Sequence, residues 1–158
     1  MGKRSTRANK NAYQLSREAA GLTREKAGEM MEFVSDDRIE KIESERSLPH
    51  PEEVLAMSEC YKDARLCNYF CSHECPIGMV YVPEVELKTL SQITLETVNA
   101  INSLEKRKNR LIEIAVDGQI DEEEQADFEN IRKELDDISM AVQTLRMWLD
   151  HREKNADE

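Results

Sequence analysis

The chain has 158 residues, 35% of them charged and 39% hydrophobic, with four prolines and a formal net charge of −11. That length holds one ordinary domain with an extension, or two small ones, and the composition is that of a helix-rich protein with long solvated faces. No apolar run approaches the ~18 residues of a membrane span, and the opening MGKRSTRANK has no apolar segment behind it, so a cytoplasmic protein is expected.

The charge is unevenly placed. Residues 1–50 hold 10 Lys+Arg against 9 Asp+Glu, whereas residues 51–158 hold 12 against 24. Lys3, Arg4, Arg7, Lys10 and Arg17 all precede the first acid, Glu18. Residues 1–10 therefore read as a basic arm, followed by a nearly neutral segment and an acidic remainder.

Five short helices are expected between residues 11 and 75. The first, NAYQLSREAA, stops at Gly21, a residue suited to a left-handed C-terminal cap. Thr23 can cap a second helix, REKAGEMM, and Ser35 a third, DDRIEKIESE. Leu48-Pro49-His50-Pro51 is a rigid connector, with Pro51 in the first turn of a fourth helix, PEEVLAMSECY. Lys62-Asp63 turns the chain into a fifth, ARLCNYFC. A domain of about 65 residues is small but can fold alone.

Residues 76–86, PIGMVYVPEVE, break the helical pattern at Pro76, Gly78 and Pro83, and their apolar Met79, Val80, Tyr81 and Val82 suggest a packed connector. From Leu87 the periodicity is sustained. Leu87, Leu90, Thr94, Thr97, Ile101, Leu104, Lys108, Leu111 and Ala115 form one heptad register, and Phe128, Ile131, Leu135, Ile138, Val142, Leu145 and Leu149 a second. Asp117-Gly118 separates them, and Asp121 with Glu124 has nearly the form of a capping box. Residues 87–153 are thus expected to form an antiparallel coiled-coil hairpin, with an acidic tail at 154–158. Val98, Ile112, Met140 and Trp148 widen the apolar stripe beyond one seam. A second copy could cover the excess, so a homodimer through the hairpin is expected.

In the first segment, Gly21-Leu22-Thr23-Arg24-Glu25, Val34-Ser35, Ile39-x-x-Ile42-Glu43 and Leu48-Pro49 with Pro51 follow in order. Across residues 11–72 this set resembles the phage-repressor (XRE/Cro-type) helix-turn-helix family. The resemblance implies an all-α, five-helix Cro/repressor-like domain ahead of the hairpin. It also implies that the third helix enters the DNA major groove with its N-terminal side chains at base edges. By position, the base-facing candidates are Asp36, Asp37 and Lys41. The phosphate-facing candidates are Arg24, Ser35, Arg38, Ser44 and Arg46, with Lys3, Arg4 and Arg7 of the arm behind them. Glu43 is expected to bond back into the core. The sequence departs from the family in Arg24, in Gly28 and in MMEF at the end of the second helix, which lengthens the turn.

Asp36 and Asp37 follow the cap Ser35 directly, where a carboxylate gains ~0.3–1 kcal/mol from the helix dipole, so they need no functional explanation. A functional role would be to accept a hydrogen bond from cytosine N4. Cys67, Cys71 and Cys75 recur every four residues with His73 between the last two. They read as small packed groups in reduced form, the alternative being a zinc or redox site on Cys71, His73 and Cys75. There is no Gly-rich phosphate loop, HExxH or nucleophile motif, so neither an enzyme nor a bound cofactor is expected. The leading expectation is a dimeric transcriptional regulator on double-stranded DNA. A protein-interaction adaptor or antirepressor of the same fold comes second, and a metal- or thiol-sensing regulator third.

Overall fold

The computed structural model describes residues 9–116 and 118–156, and among these it is built of helices and connecting segments with no strand. Lys3, Arg4 and Arg7 of the arm, Asp117 and the last two residues of the tail lie outside the described residues. No helix among the described residues is long and apolar enough to cross a membrane. The chain divides into two units, residues 1–84 with 150–158, and residues 85–149.

The first unit holds six helices, α1 Ala12–Ala19, α2 Arg24–Met31, α3 Asp36–Glu43, α4 Pro51–Cys60, α5 Arg65–His73 and the single turn α6 Gly78–Tyr81. Side-chain oxygens cap the first three. Asn11 accepts from the Gln14 N–H, Thr23 from Lys26 and Ser35 from Arg38. At α4 the backbone N–H of His50 donates to the Glu53 carboxylate at 2.7 Å. Helices of eight to ten residues are marginal in water, so tertiary packing must hold them. That packing is one cluster of Tyr13, Ala27, Met31, Val34, Ile39, Ile42, Val54, Met57, Tyr61 and Leu66. Each large side chain buried there contributes about 1.5–3 kcal/mol, more than the helix propensities it has to overcome.

Helix α1 enters this core with polar groups as well. Tyr13 donates to Glu74 (2.7 Å), Ser16 to Asp63 (2.6 Å), and the Asn11 amide to the Ile42 carbonyl (2.9 Å). These bonds reach across 31 to 61 residues of sequence and fasten α1 to α3 and to both ends of α5.

The connector after α5 is more ordered and less covered than its composition suggests. Gly78 is buried so tightly that a Cβ there would lie 2.1 Å from the Cys71 carbonyl oxygen. With the backbone seated in this way, Ile77, Met79, Val80 and Tyr81 point outward and are 60–78% exposed. The packing expected of Met79, Val80 and Tyr81 is therefore supplied by glycine backbone instead.

The second unit contains α7 (Leu90–Ala115) and the greater part of α8 (Gln125–Lys154). Thr89 and Gln92 form a capping box at the start of α7, and Asp121 accepts from the Glu123 and Glu124 N–H groups before α8. Arg107 pairs with Glu134 and Arg110 with Asp127, each at 2.7 Å, so ascending α7 means descending α8. The buried line on α7 is Ile93, Ala100 and Ile114, with Thr97, Leu104, Arg107 and Leu111 half-buried between them. On α8 the innermost residues include Ile131, Ala141, Thr144 and Met147.

This differs from the expected registers. Thr97, Leu104, Leu111, Ile131, Ile138 and Leu145 do face inward, but Leu90, Thr94, Ile101, Lys108, Leu135, Val142 and Leu149 are exposed. The two helices are joined by the Arg107–Glu134 and Arg110–Asp127 pairs, and on α7 this turns inward the line through Ile93, Ala100 and Ile114 rather than the one through Thr94, Ile101 and Lys108.

Candidate nucleic-acid interface

Helix α3 is two-sided. Its inner side chains, Ile39, Ile42 and Glu43, are at most 2% exposed, while Asp37 and Lys41 on the opposite side, and Asp36 in the first turn, are open to solvent. Its position is set by α2. A Cβ on Gly28 would meet the Asp36 amide nitrogen at 3.1 Å and the Val34 carbonyl oxygen at 3.2 Å, so a larger residue would push the two helices apart. Between them the chain turns through Glu32, at φ +60, and exposed Phe33, before Val34 returns wholly to the core.

Behind α3 lies a buried ionic group. The Glu43 side chain is fully buried, and its two oxygens accept from Arg17 at 2.5 and 2.9 Å and from Arg24 at 2.8 Å. Arg17 also donates to the Leu22 carbonyl at 2.6 Å. Burial lowers the Arg17 pKa, but the hydrogen bonds and charge of Glu43 outweigh it, so the guanidinium is held above its ordinary value. One carboxylate serves two guanidiniums, which leaves this trio one net positive charge. Arg24, about one-third exposed, is the member that can present that charge outward.

The remaining candidates separate by what already holds them. Arg38 is committed internally: it donates to both Glu53 oxygens at 2.7 Å, to Ser47 Oγ at 2.6 Å and to the Leu48 carbonyl at 2.9 Å. It thus ties α3 to the start of α4, and few of its donors remain for a phosphate. Arg46 pairs with Glu40 on the exposed surface and donates to Ser44 Oγ at 2.9 Å. Ser35 serves as the cap of α3. Lys41 is exposed near the C-terminus of α3. Residues 24–46 also expose the acids Glu25, Glu29, Glu32, Asp36, Asp37 and Glu45 and the base Lys26, so the exposed charge of this segment is mixed with acids in excess. Glu53 and Glu40 were invisible as partners in the sequence, because Arg38–Glu53 spans 15 residues and follows no local spacing.

The carboxylates of the first unit predict how it responds to acid. The Arg38 guanidinium holds Glu53 below its usual range despite partial burial. For Asp63, burial pushes up, but bonds from Arg65 and Ser16 win and its pKa is lowered. Groups with depressed folded-state pKa values contribute stability above the unfolded value, about 4 for Asp and Glu, and that stability is lost as pH falls through the lower folded one. Glu74, raised mainly by burial, acts with the opposite sign and offsets part of the loss. The urea midpoint of the first unit, followed by circular dichroism, should fall as pH drops below about 4, and Glu53→Gln should flatten that fall.

The cysteines make no comparable constellation. Cys60, Cys67, Cys71 and Cys75 are free and half-buried. Cys75 Sγ accepts from the Gly78 N–H at 3.4 Å. The His73 ring stacks on Tyr69, with Nδ1 near Ser72 Oγ and the Tyr69 carbonyl. Among the described residues no three His, Cys, Asp or Glu side chains are placed to hold a metal ion, the set Cys71, His73 and Cys75 included. No protein-family model, curated protein or solved structure matches the chain.

Proposed function

We propose that this protein is a cytoplasmic, sequence-specific DNA-binding transcriptional regulator acting as a homodimer. In this reading residues 11–75 form a helix-turn-helix head and α7 with α8 an antiparallel dimerising hairpin. The observation that carries it is the two-sidedness of α3. An eight-residue helix is anchored by Ile39 and Ile42, seated against α2 at Gly28, and leaves Asp36, Asp37 and Lys41 free to meet base edges.

Phosphate neutralisation then comes from a reduced set. Arg24 offers the surplus charge of the Glu43 trio. Arg46 is held by an exposed pair, and such pairs are worth about 0–1 kcal/mol, so a phosphate can replace Glu40. The arm residues Lys3, Arg4 and Arg7 complete the set, with Ser35 and Ser44 as hydroxyl donors. Arg38 acts by holding α3 in place.

The acids around α3 favour a second reading, an adaptor or antirepressor whose α3 face meets a basic protein surface. A salt series on genomic and random DNA separates the two. Regulator activity predicts log affinity falling steeply and linearly with log salt, with a slope of about −0.9 per phosphate contact. Arg24→Ala should reduce that slope by about 1, and Lys41→Glu should weaken all sequences. Absence of binding even at low salt would overturn the regulator reading and favour the adaptor.

A further inference from the structure

The α7–α8 contact uses only part of the apolar surface of those helices. Leu90, Val98 and Ile101 on α7 and Leu135, Val142 and Leu149 on α8 remain 43–50% exposed. Leu95 and Ile112 of α7 are more exposed still, at 63% and 58%. On α7 the inward positions repeat through Ile93, Thr97, Ala100 and Leu104, and Val98 with Ile101 lie immediately to one side of that line. On α8, Leu135, Val142 and Leu149 each follow an inward position by one residue, as Ile101 follows Ala100. In an antiparallel pair the positions one step beyond the seam on each helix flank the same side. Leu90 at the start of α7 lies near the level of Leu149, and Val98 near that of Val142, while Ile101 and Leu135 extend the apolar side where Ser139 and Glu105 stand opposite.

We infer that this apolar side is the dimer interface, and that its occupant is the same side of a second copy. The inference rests on the reading of the second unit as a dimerising hairpin, and names the surface it uses. Area selects a second copy: six half-exposed aliphatic side chains present on the order of 500 Å², about the apolar share of the ~800 Å² that each partner gives a standard interface, and a two-fold contact lets one surface of this size cover the other. Two such copies stacked on this side make a four-helix bundle.

Charge gives the interface a signature of its own. Residues 85–149 hold 14 Asp+Glu against 8 Lys+Arg, so two copies repel and salt should strengthen their association. DNA binding has the opposite dependence, so failure of either reading is visible without the other.

The experiment is a sedimentation-equilibrium concentration series on the full chain, run at low and high salt. Wild type should approach twice 18.3 kDa, more readily at high salt. The double variant Ile101→Glu/Val142→Glu should remain at the monomer mass with unchanged far-ultraviolet circular dichroism, because both side chains are already solvent-facing in one copy. Tyr81→Glu, in the exposed apolar turn α6, should leave the dimer intact. A monomeric wild type, a double variant that still dimerises, or a dimer lost with Tyr81→Glu would overturn the assignment. Ile114→Asp/Ile131→Asp should lower the helical signal, and no change there would overturn the α7–α8 pairing beneath it.

Discussion

Replacing Glu43 with alanine should cost the first unit about 3–5 kcal/mol and leave it largely unfolded at room temperature. The loss exceeds that of an ordinary surface pair because of what remains. Arg17, with a side chain only 8% exposed, would keep its charge and lose two of its three protein acceptors. Glu43→Gln keeps the volume and one acceptor and should fall between wild type and alanine. Arg24→Ala removes the more exposed guanidinium, leaves the Arg17–Glu43 bonds intact and should be mild. Urea unfolding followed by circular dichroism gives the order: Glu43→Ala far below Glu43→Gln, and Arg24→Ala near wild type. Equal losses for Glu43→Ala and Arg24→Ala would mean that the charge on Arg17 is not what matters there.

Gly78→Ala should be as damaging in spite of adding one methyl group. A Cβ at 2.1 Å from the Cys71 carbonyl oxygen cannot be accommodated by a side-chain rotation, since the obstructing atom is helix backbone. Overpacking usually costs about 1–3 kcal/mol, and this case belongs at or above the top of that range because α6 must leave its seat on α5. The local consequence is specific. The N–H of Gly78 bonds Cys75 Sγ, so displacement of α6 should raise the reaction rates of Cys71 and Cys75 with a thiol reagent more than that of Cys60 on α4. Pro76→Ala at an exposed neighbouring position should change neither the unfolding midpoint nor the thiol rates. A Gly78→Ala protein with wild-type stability would show that α6 is not held against α5.

Much of the local structure was readable because its causes are local. The N-terminal ends of α1 to α3 are set by Asn11, Thr23 and Ser35, each accepting from the backbone N–H three residues on, and Pro51 fits the first turn of α4. The inner face of α3 follows from the three-residue spacing of Ile39 and Ile42, which also makes Asp37 and Lys41 face outward. The wish of Glu43 to bond inward was expected, whereas Arg17 and Arg24 as its partners could not be inferred, since they approach from two other helices. Arg38 shows the limit most clearly. A basic residue early in an outward-facing helix suggests a phosphate contact, yet its side chain turns to Glu53 and Ser47 on the approach to α4.

The sequence by itself determined that the described chain is helical, where most of those helices start, and which face of α3 is apolar. Periodicity and capping act over a few residues, so they survive without knowledge of the rest. The tertiary structure alone decided which of two adjacent apolar lines on α7 and α8 turns inward, and which arginines remain available beside α3. Both outcomes depend on groups distant in sequence: ion pairs between α7 and α8 join residues 17 and 27 positions apart, and carboxylates brought near by packing neutralise cations before any ligand can reach them.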